Sequence, residues 1–376
     1  GIVDLESGET EEMAHIKETR SGKTFNIELN NGKLPKGLEN LQAGQRVLVR
    51  GKKKGQQRLS YDSIEEVQQG PRVAQDLSKV PVVHGRGART MLAVMVDFTD
   101  DQAVCGSNEN MDKILFDKSE PKSLVNWVDK TSHGQFSVSG EVVRVQIDVD
   151  GSASGCGYNT WADKADAALR AKGINPDDWQ HQQYVLPRSS KCSFGGVAYL
   201  GANRSWVRQC YAKTFSHELG HNFGLGHANH DVNGSYGDYT DTMGLYFFEL
   251  NAPHREQMGW TPAEKILTAN GDMTVRLAPL NTNPEETELP QIIKVKRPGA
   301  DDYAYISFRN KSGPWDVSLG SSYYDHISVH HYDPRKDTHT WLMDTVGAGG
   351  TYTIEDGNIM VKNLTVTEDY AEIQIT

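Results

Sequence analysis

Residues 216–227 read Ser-His-Glu-Leu-Gly-His-Asn-Phe-Gly-Leu-Gly-His, and this stretch decides the fold around it. Residues four apart lie on the same face of an α-helix, so His217 and His221 can both present an imidazole nitrogen to one metal ion. Gly224 can adopt the positive φ that ends a helix, which lets the chain turn and bring back His227 as a third ligand. Three protein nitrogens and one open position are typical of a catalytic zinc site.

Glu218 lies between the first two histidines of this stretch. Its carboxylate would sit beside a water molecule held at the metal and could take a proton from it when the water attacks a carbonyl. A bare His-Glu-x-x-His pattern occurs by chance in many helices. A purely structural helix, however, gives no reason for the glycine and the third histidine at fixed offsets. The pattern therefore predicts a zinc hydrolase in which Glu218 is the general base.

The residues after the motif narrow this prediction. Met243 follows shortly, within Gly-Asp-Tyr-Thr-Asp-Thr-Met-Gly at 237–244, and Leu-Asn-Ala-Pro-His at 250–254 and Met-Gly-Trp at 258–260 come next. The long motif with a methionine in a following turn resembles the metzincin metallopeptidases. The flanking sequence is similar to the gametolysin (M11-like) family of secreted zinc metallopeptidases. This resemblance covers about residues 90–376 and is strongest from 206 to 260.

The resemblance implies roles for two more side chains. Met243 would form a soft apolar floor beneath the zinc ligands, and the alternative is an ordinary core methionine. Some metzincins carry a tyrosine two residues beyond this methionine, where it binds zinc or stabilises the oxyanion. Here that position is Leu245, and Tyr246 comes one residue later. Tyr246 is therefore the candidate for an oxyanion or ligand role.

The segments before the motif predict how the site is supported. A helix is expected over residues 206–223, because the apolar residues Val207, Tyr211, Phe215 and Leu219 fall four apart. Residues 195–200 are a glycine-rich apolar segment of strand length. In zinc peptidases of this general build an edge strand at this place pairs with the extended substrate backbone. The alternative is a core strand without contact to substrate.

Composition bounds the class of protein. The chain has 376 residues and a formal net charge of -11, which argues against a nucleic-acid partner and suits a secreted protein. No apolar run is long enough to cross a bilayer. The chain begins Gly-Ile-Val without a signal-like segment, so we expect an export signal to have been removed or to lie outside this sequence. We expect a monomer with a protein or peptide substrate.

Four cysteines lie in the middle third of the chain: Cys105, Cys156, Cys192 and Cys210. An even number confined to one domain predicts two disulfides formed in an oxidising compartment, and buried free thiols are the alternative. Three pairings are open. We expect Cys192 with Cys210 and Cys105 with Cys156.

The pattern along the chain predicts an α+β multidomain protein. Residues 1–70 have short strands and glycine turns that favour a small β-barrel-like domain, which would be either a retained module or a propeptide. Residues 71–89 have the proline, glycine and charge of a linker. Residues 90–265 would be the metzincin (zincin-type) catalytic domain. Residues 266–376 show about seven short alternating strands and predict a β-sandwich.

Together these observations predict a secreted zinc endopeptidase that cuts extracellular or matrix proteins. The alternative is a cell-surface or matrix binding protein with a structural zinc ion and no catalysis. Calcium is a second candidate metal, because residues 148–152 read Asp-Val-Asp-Gly-Ser like the start of a calcium loop. The later carboxylates of such a loop are missing, so this fragment is the whole support for calcium.

Overall fold

The protein was analysed as a computed structural model that describes residues 2–4, 15–17, 24–27, 47–54, 58–66, 86–298, 302–333, 338–354 and 359–376. These residues form a mixed α+β protein whose strands build four sheets. The predicted α+β class is thus confirmed. Among the described residues, no helix combines the length and the apolar character needed to span a membrane.

The described residues form six α-helices and twenty strands. The helices are α1 (Asn108–Leu115), α2 (Leu124–Thr131), α3 (Tyr158–Ala171), α4 (Ala212–Asn222), α5 (Ala252–Met258) and α6 (Gly313–Asp316). The strands in the first half are β1 (Ile2–Asp4), β2 (His15–Lys17), β3 (Thr24–Ile27), β4 (Val47–Lys54), β5 (Arg58–Glu66), β6 (Gly87–Asp97), β7 (Phe136–Gln146), β8 (His181–Val185), β9 (Gly196–Ala198) and β10 (Arg204–Val207). The strands in the second half are β11 (Ala228–His230), β12 (Ile266–Ala269), β13 (Met273–Leu277), β14 (Ile292–Lys296), β15 (Tyr303–Phe308), β16 (His326–Tyr332), β17 (Thr340–Gly347), β18 (Thr351–Ile354), β19 (Ile359–Val366) and β20 (Ala371–Ile375).

A six-stranded sheet with the order β1-β9-β10-β8-β6-β7 supports the motif helix α4. Strand β6 lies next to the edge strand β7, and its apolar run Met91–Val96 is completely buried. β6 runs parallel to β7 and to β8, and β8 runs parallel to β10. Strands buried on both faces read as continuous apolar runs, which is the pattern of β6. On the other side β9 runs antiparallel to β10, and β1 runs antiparallel to β9.

The predicted start of the motif helix is wrong. Trp206 and Val207 lie in strand β10 between β8 and β9, and helix α4 begins only at Ala212, after the cap residue Tyr211. Phe215 and Leu219 are buried on α4 as expected, whereas Tyr211 is 64% exposed. Val207 matches the four-residue spacing of α4 only by coincidence. As a β-branched residue it packs well in the buried strand β10, as does the aromatic ring of Trp206.

Two disulfides are present, but the expected pairing is wrong. Cys105 is bonded to Cys210 and Cys156 to Cys192. Strands β6, β8 and β10 run in parallel, so their carboxyl ends all lie at the same end of the sheet. Cys105 follows β6 and Cys210 follows β10, so the topology brings these two together although they are 105 residues apart in sequence. The expected pairs had been Cys192 with Cys210 and Cys105 with Cys156.

The flanking regions form three further sheets. Of the described strands before residue 86, β2 to β5 pair in the order β2-β3-β5-β4, whereas β1 joins the six-stranded sheet; the closed barrel remains a prediction. After residue 265 the strands enter a sheet of order β11-β17-β16-β15-β14-β12 and one of order β13-β20-β19-β18. Apolar side chains from both of these sheets share one buried cluster. Their arrangement as a β-sandwich likewise remains a prediction.

Two elements cross the domain limits expected from the sequence. β6 begins at Gly87, inside the segment predicted as a linker. β11 directly follows the metal motif, yet it pairs in parallel with β17 of the C-terminal region, with Ala228 opposite Thr340. The loop after α4 is therefore built into the C-terminal sheet.

Candidate metal centre

Helix α4 carries the first two histidines of the motif on one face. His217 and His221 are 1% and 0% exposed, and their ring centroids lie 4.7 Å apart. Nδ1 of His217 lies 2.8 Å from the carbonyl oxygen of Thr242, and Nδ1 of His221 lies 2.7 Å from that of Leu225. A carbonyl oxygen only accepts, so each Nδ1 carries the proton and each Nε2 keeps its lone pair for another partner.

His227 reaches the same point from the loop after α4. Gly224 ends the helical course with a φ of +99°, as the sequence predicted, and the amide of Leu225 donates back to the carbonyl of Gly220. Nε2 of His227 then lies 3.2 Å from Nε2 of His221. Among the described residues, the trio His217, His221 and His227 is the group that could hold a metal ion, with ligand atoms within 4.8 Å of one another.

The donor set of this trio fits a zinc ion. All three residues are buried imidazoles, and imidazole nitrogen is a preferred zinc ligand. Two of them have their tautomer fixed by a backbone carbonyl, the usual arrangement behind metal-binding histidines. Three histidines leave room for a fourth position on the ion, as a catalytic site requires.

Met243 packs against α4 at Gly220, which lies between the two helical histidines in sequence. It is completely buried, and a Cβ atom added at Gly220 would come within 2.4 Å of its sulfur. Because glycine has no side chain, the methionine can approach the helix axis here. The amide of Met243 donates to Asp241 Oδ1 at 2.6 Å, and Asp241 Oδ2 lies 2.9 Å from Nδ1 of His254. The turn is thereby fixed by a buried carboxylate.

Glu218 lies against strand β9. Its side chain is buried, and a Cβ atom added at Gly196 would come within 2.1 Å of Oε1 and 2.7 Å of the carboxyl carbon. Only a glycine leaves space for the carboxylate at this strand position. An isolated glycine in a strand can signal such a close approach, and the Gly195-Gly196 pair was a readable clue in the sequence.

A buried carboxylate pairs the loop with the C-terminal sheet. Asp238 Oδ2 lies 2.9 Å from His330 Nε2 and accepts from Asn251 Nδ2 at 3.1 Å, and its Oδ1 accepts from Thr240. Burial alone would raise the pKa of Asp238, but the hydrogen bond and charge of His330 together with these donors hold it well below its ordinary value. No pattern in the sequence indicated this partnership.

The structure places a different tyrosine beside the histidines from the one singled out by the sequence. The ring centroid of Tyr236 lies 4.2 Å from that of His227 and 6.0 Å from that of His217. Tyr246 is 51% exposed and packs on Tyr239, with centroids 5.2 Å apart. The oxyanion role of Tyr246 remains a prediction, and Tyr236 is the tyrosine in ring contact with the metal trio.

In the loop proposed for calcium, the carboxylate of Asp150 accepts hydrogen bonds from the backbone of the loop itself. Asp150 Oδ1 accepts from the amide of Ser152 at 2.9 Å and from that of Ala153 at 3.2 Å. The hydrogen bond from the Ser152 hydroxyl is the main cause that lowers the pKa of Asp150. Within the described ranges this loop contributes to no group of three potential metal ligands.

Comparison with known proteins agrees with this geometry. Curated proteins gave no match to the chain. The model of the family described as "Gametolysin peptidase M11" matches residues 101–346, which include the histidine trio, the Met243 turn and most of the sheet that contains β11 and β17. The matched segment is well over half of the 376 residues. This chain therefore belongs to the gametolysin M11 family of peptidases.

Proposed function

We propose that the protein is a zinc-dependent endopeptidase of metzincin type, in which His217, His221 and His227 hold the zinc ion. The observation that carries the proposal is the convergence of three buried imidazoles, two of them with Nδ1 engaged by backbone carbonyls. Membership of a peptidase family supports peptide-bond hydrolysis as the reaction. Met243 and Gly224 would support the site without binding the metal.

Bound zinc would polarise the scissile carbonyl and acidify a water molecule. Glu218 would accept the proton of the attacking water and pass it to the leaving amine. Its carboxylate is suited to this task because it is buried against Gly196 of β9, and Glu218 lies between the two helical histidines in sequence. A binding protein with a purely structural zinc ion would have no need for a buried carboxylate at this place.

Strand β9 is the proposed docking edge for the substrate backbone. It is held by β10 on one side, and on its other side β1 runs antiparallel to it, with Val3 opposite Val197. An extended peptide that adds to the sheet here would pass Gly196 and hence Glu218. The pairing supports the interpretation of the amino-terminal region as a propeptide, since β1 occupies the edge that a substrate would use.

The two disulfides support an extracellular setting, because such bonds persist in oxidising compartments. We infer that the substrates are extracellular or matrix proteins. Arg86 is exposed just before β6, so a trypsin-like enzyme could cut there and leave Gly87 as the new terminus. Peptide-library digestion by the full chain and by residues 87–376, read by mass spectrometry, tests whether the first 86 residues restrain activity.

The central test is a Glu218→Gln variant assayed on casein. We expect wild-type digestion to be blocked by a zinc chelator and restored by added zinc. The variant should retain its zinc content but lose essentially all turnover. Glu109→Gln is a matched control, because Glu109 is an exposed carboxylate on α1. Turnover by the Glu218→Gln variant would remove this residue from the mechanism, and a zinc-loaded wild-type protein without turnover would favour the binding-protein alternative.

A further inference from the structure

Residues 338–340, which are distant in sequence, form hydrogen bonds with the backbone around His227. The amide of His227 donates to Nδ1 of His339 at 2.8 Å, and the carbonyl of His227 accepts from the amide of Thr340 at 3.0 Å. One residue earlier, the amide of Gly226 donates to the carbonyl of Thr338 at 3.2 Å. His227 and His339 are 112 residues apart in sequence. The backbone on both sides of the His227 Cα atom is thus tied to residues 338–340.

The same segment also packs on the side chain of this histidine. The rings of His227 and His339 are stacked, with centroids 5.2 Å apart and planes inclined by 16°. His339 therefore contacts His227 twice, once at the backbone amide and once on the ring face. Because an N–H group donates to Nδ1 of His339, this nitrogen acts as the acceptor. This one side chain therefore contacts both the backbone and the ring of His227.

The contact requires an unusually close approach of two chain segments. A Cβ atom added at Gly226 would come within 2.3 Å of the carbonyl oxygen of Thr338 and within 2.8 Å of the amide nitrogen of His339. Directly afterwards β11 and β17 pair in parallel, from Ala228 opposite Thr340 to His230 opposite Leu342. The glycine lets the two segments meet, and the ladder holds them in register.

The helical histidines are positioned by other means. His217 and His221 are fixed by the rigid helix α4 and by the carbonyls of Thr242 and Leu225. His227 lies beyond the helix, in a loop whose orientation depends on what the loop packs against. Besides the ring of Tyr236, its contacts come from the segment that leads into β17 of the C-terminal sheet, a region that the sequence had suggested to be a separate module.

We infer that His339 is a positioning residue for His227, so that the C-terminal sheet forms part of the metal centre. The inference rests on the proposed function in one respect, namely that His227 binds the metal ion. His339 acts through the orientation of the His227 ring and does not need to touch the substrate. The protein should then lose metal affinity when only the His339 side chain is altered.

The test compares His339→Ala and His339→Asn in the full chain. Alanine removes the acceptor and the stacked ring, whereas the amide oxygen of asparagine can still accept from the His227 amide. Zinc affinity would be measured by competition with a chromophoric chelator, and the ligand geometry by the visible spectrum of the cobalt-substituted protein. His326→Ala is the matched control, since His326 is half-buried in β16 of the same sheet and its Nδ1 lies 3.0 Å from the Tyr324 carbonyl.

We expect zinc affinity to fall about 10- to 100-fold in His339→Ala, the usual effect of removing a residue that orients a metal ligand. His339→Asn should recover part of the loss, and His326→Ala should match the wild type. The cobalt spectrum should change in the alanine variant, and kcat at saturating zinc should fall more than KM rises. If the alanine variant does not fold, the asparagine variant decides by the same two readouts.

Two failures are distinguishable. If wild-type protein binds zinc and the His339 variants bind it equally with an unchanged cobalt spectrum, the role of His339 is overturned while the proposed function survives. If wild-type protein itself binds no zinc, the proposed function fails, and the inference fails with it.

Discussion

The two sides of the metal centre are built in different ways. The helix side consists of His217, Glu218 and His221 on α4, and its histidines are fixed by carbonyls 25 and 4 residues away in sequence. The loop side consists of His227 and Tyr236, and its support reaches residues 338–340 and, through Asp238, His330. The helix side depends on the packing of α4 and on the carbonyls of Leu225 and Thr242. The loop side is complete only when the C-terminal sheet is also in place.

The largest expected effect concerns catalysis on the helix side. Gly196→Ala would place a methyl group within 2.1 Å of Glu218 Oε1, and β9 cannot retreat without breaking its pairing with β10. We expect peptidase activity to fall about 100-fold or more, because a catalytic group displaced by about 1 Å loses this much. Zinc content should be unchanged, since the histidines are not displaced. Activity on casein and metal content by atomic emission would be measured together.

The control for this change is Gly155→Ala, at an exposed glycine where an added Cβ atom meets nothing within 4 Å. It should behave as the wild type in both measurements. Full activity in Gly196→Ala would show that Glu218 does not need its place beside β9.

The matching change on the loop side is Gly226→Ala, whose added methyl group would come within 2.3 Å of the Thr338 carbonyl oxygen. Two backbones must move apart, so we expect zinc affinity to fall about tenfold or more and the free energy of unfolding to fall by about 1–3 kcal/mol. Chelator competition and urea denaturation would measure these. The pair of glycine variants separates the two sides: Gly196→Ala should lose turnover with metal retained, and Gly226→Ala should lose metal. Wild-type zinc affinity in Gly226→Ala would show that the loop holds His227 without its contacts to residues 338–340.

A smaller effect is expected for the tyrosine on the loop side. Tyr236→Ala removes the ring that lies 4.2 Å from that of His227, and an aromatic pair contributes roughly 0.5–1.5 kcal/mol. Zinc affinity should therefore fall by up to about tenfold, while Tyr236→Phe keeps the ring and the affinity. Tyr246→Ala is the natural comparison and should leave the affinity unchanged, because that side chain is 51% exposed. Slower turnover in Tyr236→Phe with wild-type zinc affinity would assign a catalytic role to the hydroxyl group of Tyr236. Equal zinc affinities of Tyr236→Ala and Tyr246→Ala would contradict the expectation that the Tyr236 ring orients His227.

The sequence predicted which residues α4 brings together but not the contacts of the loop side, for a physical reason. Periodicity along α4 fixes which residues share a face, so the two helical histidines, Glu218 and the turn at Gly224 can be read directly. Contacts made by sheet pairing over about a hundred residues leave no local pattern, which is why the roles of His330 and His339 could not be predicted. The disulfide pairing was missed for the same reason, because it follows from the order of the parallel strands β6, β8 and β10. The start of α4 was misplaced because Trp206 and Val207 match a helical spacing while they lie in a strand.

Acid should lower the free energy of unfolding of the protein through His181, a buried histidine next to α4. The ring of His181 lies 5.4 Å from that of Phe223, the residue that ends α4. Burial, and then the nearby charge of Arg89, lower the pKa of His181 from 6.5 to about 4. Between these values the unfolded chain binds the proton more tightly than the folded protein, so the free energy of unfolding falls as the pH falls. The contribution is up to about 1.4 kcal/mol per pH unit, and His133, with a pKa lowered to about 3 by burial and by Arg255, adds to it.

His181→Gln should make the dependence of unfolding free energy on pH shallower between about pH 6.5 and 4, by up to about 1.4 kcal/mol per pH unit. Urea denaturation of metal-free wild-type and variant protein across this range would measure the two slopes. Ser205→Ala is a suitable control, because Ser205 is a buried, non-titrating residue of the same sheet and its loss should shift the curve without changing the slope. Equal slopes for the wild type and His181→Gln would mean that acid does not act through His181 in this range. Asp238 on the loop side could not supply the slope instead, because its lowered pKa means that its contribution is lost only at lower pH.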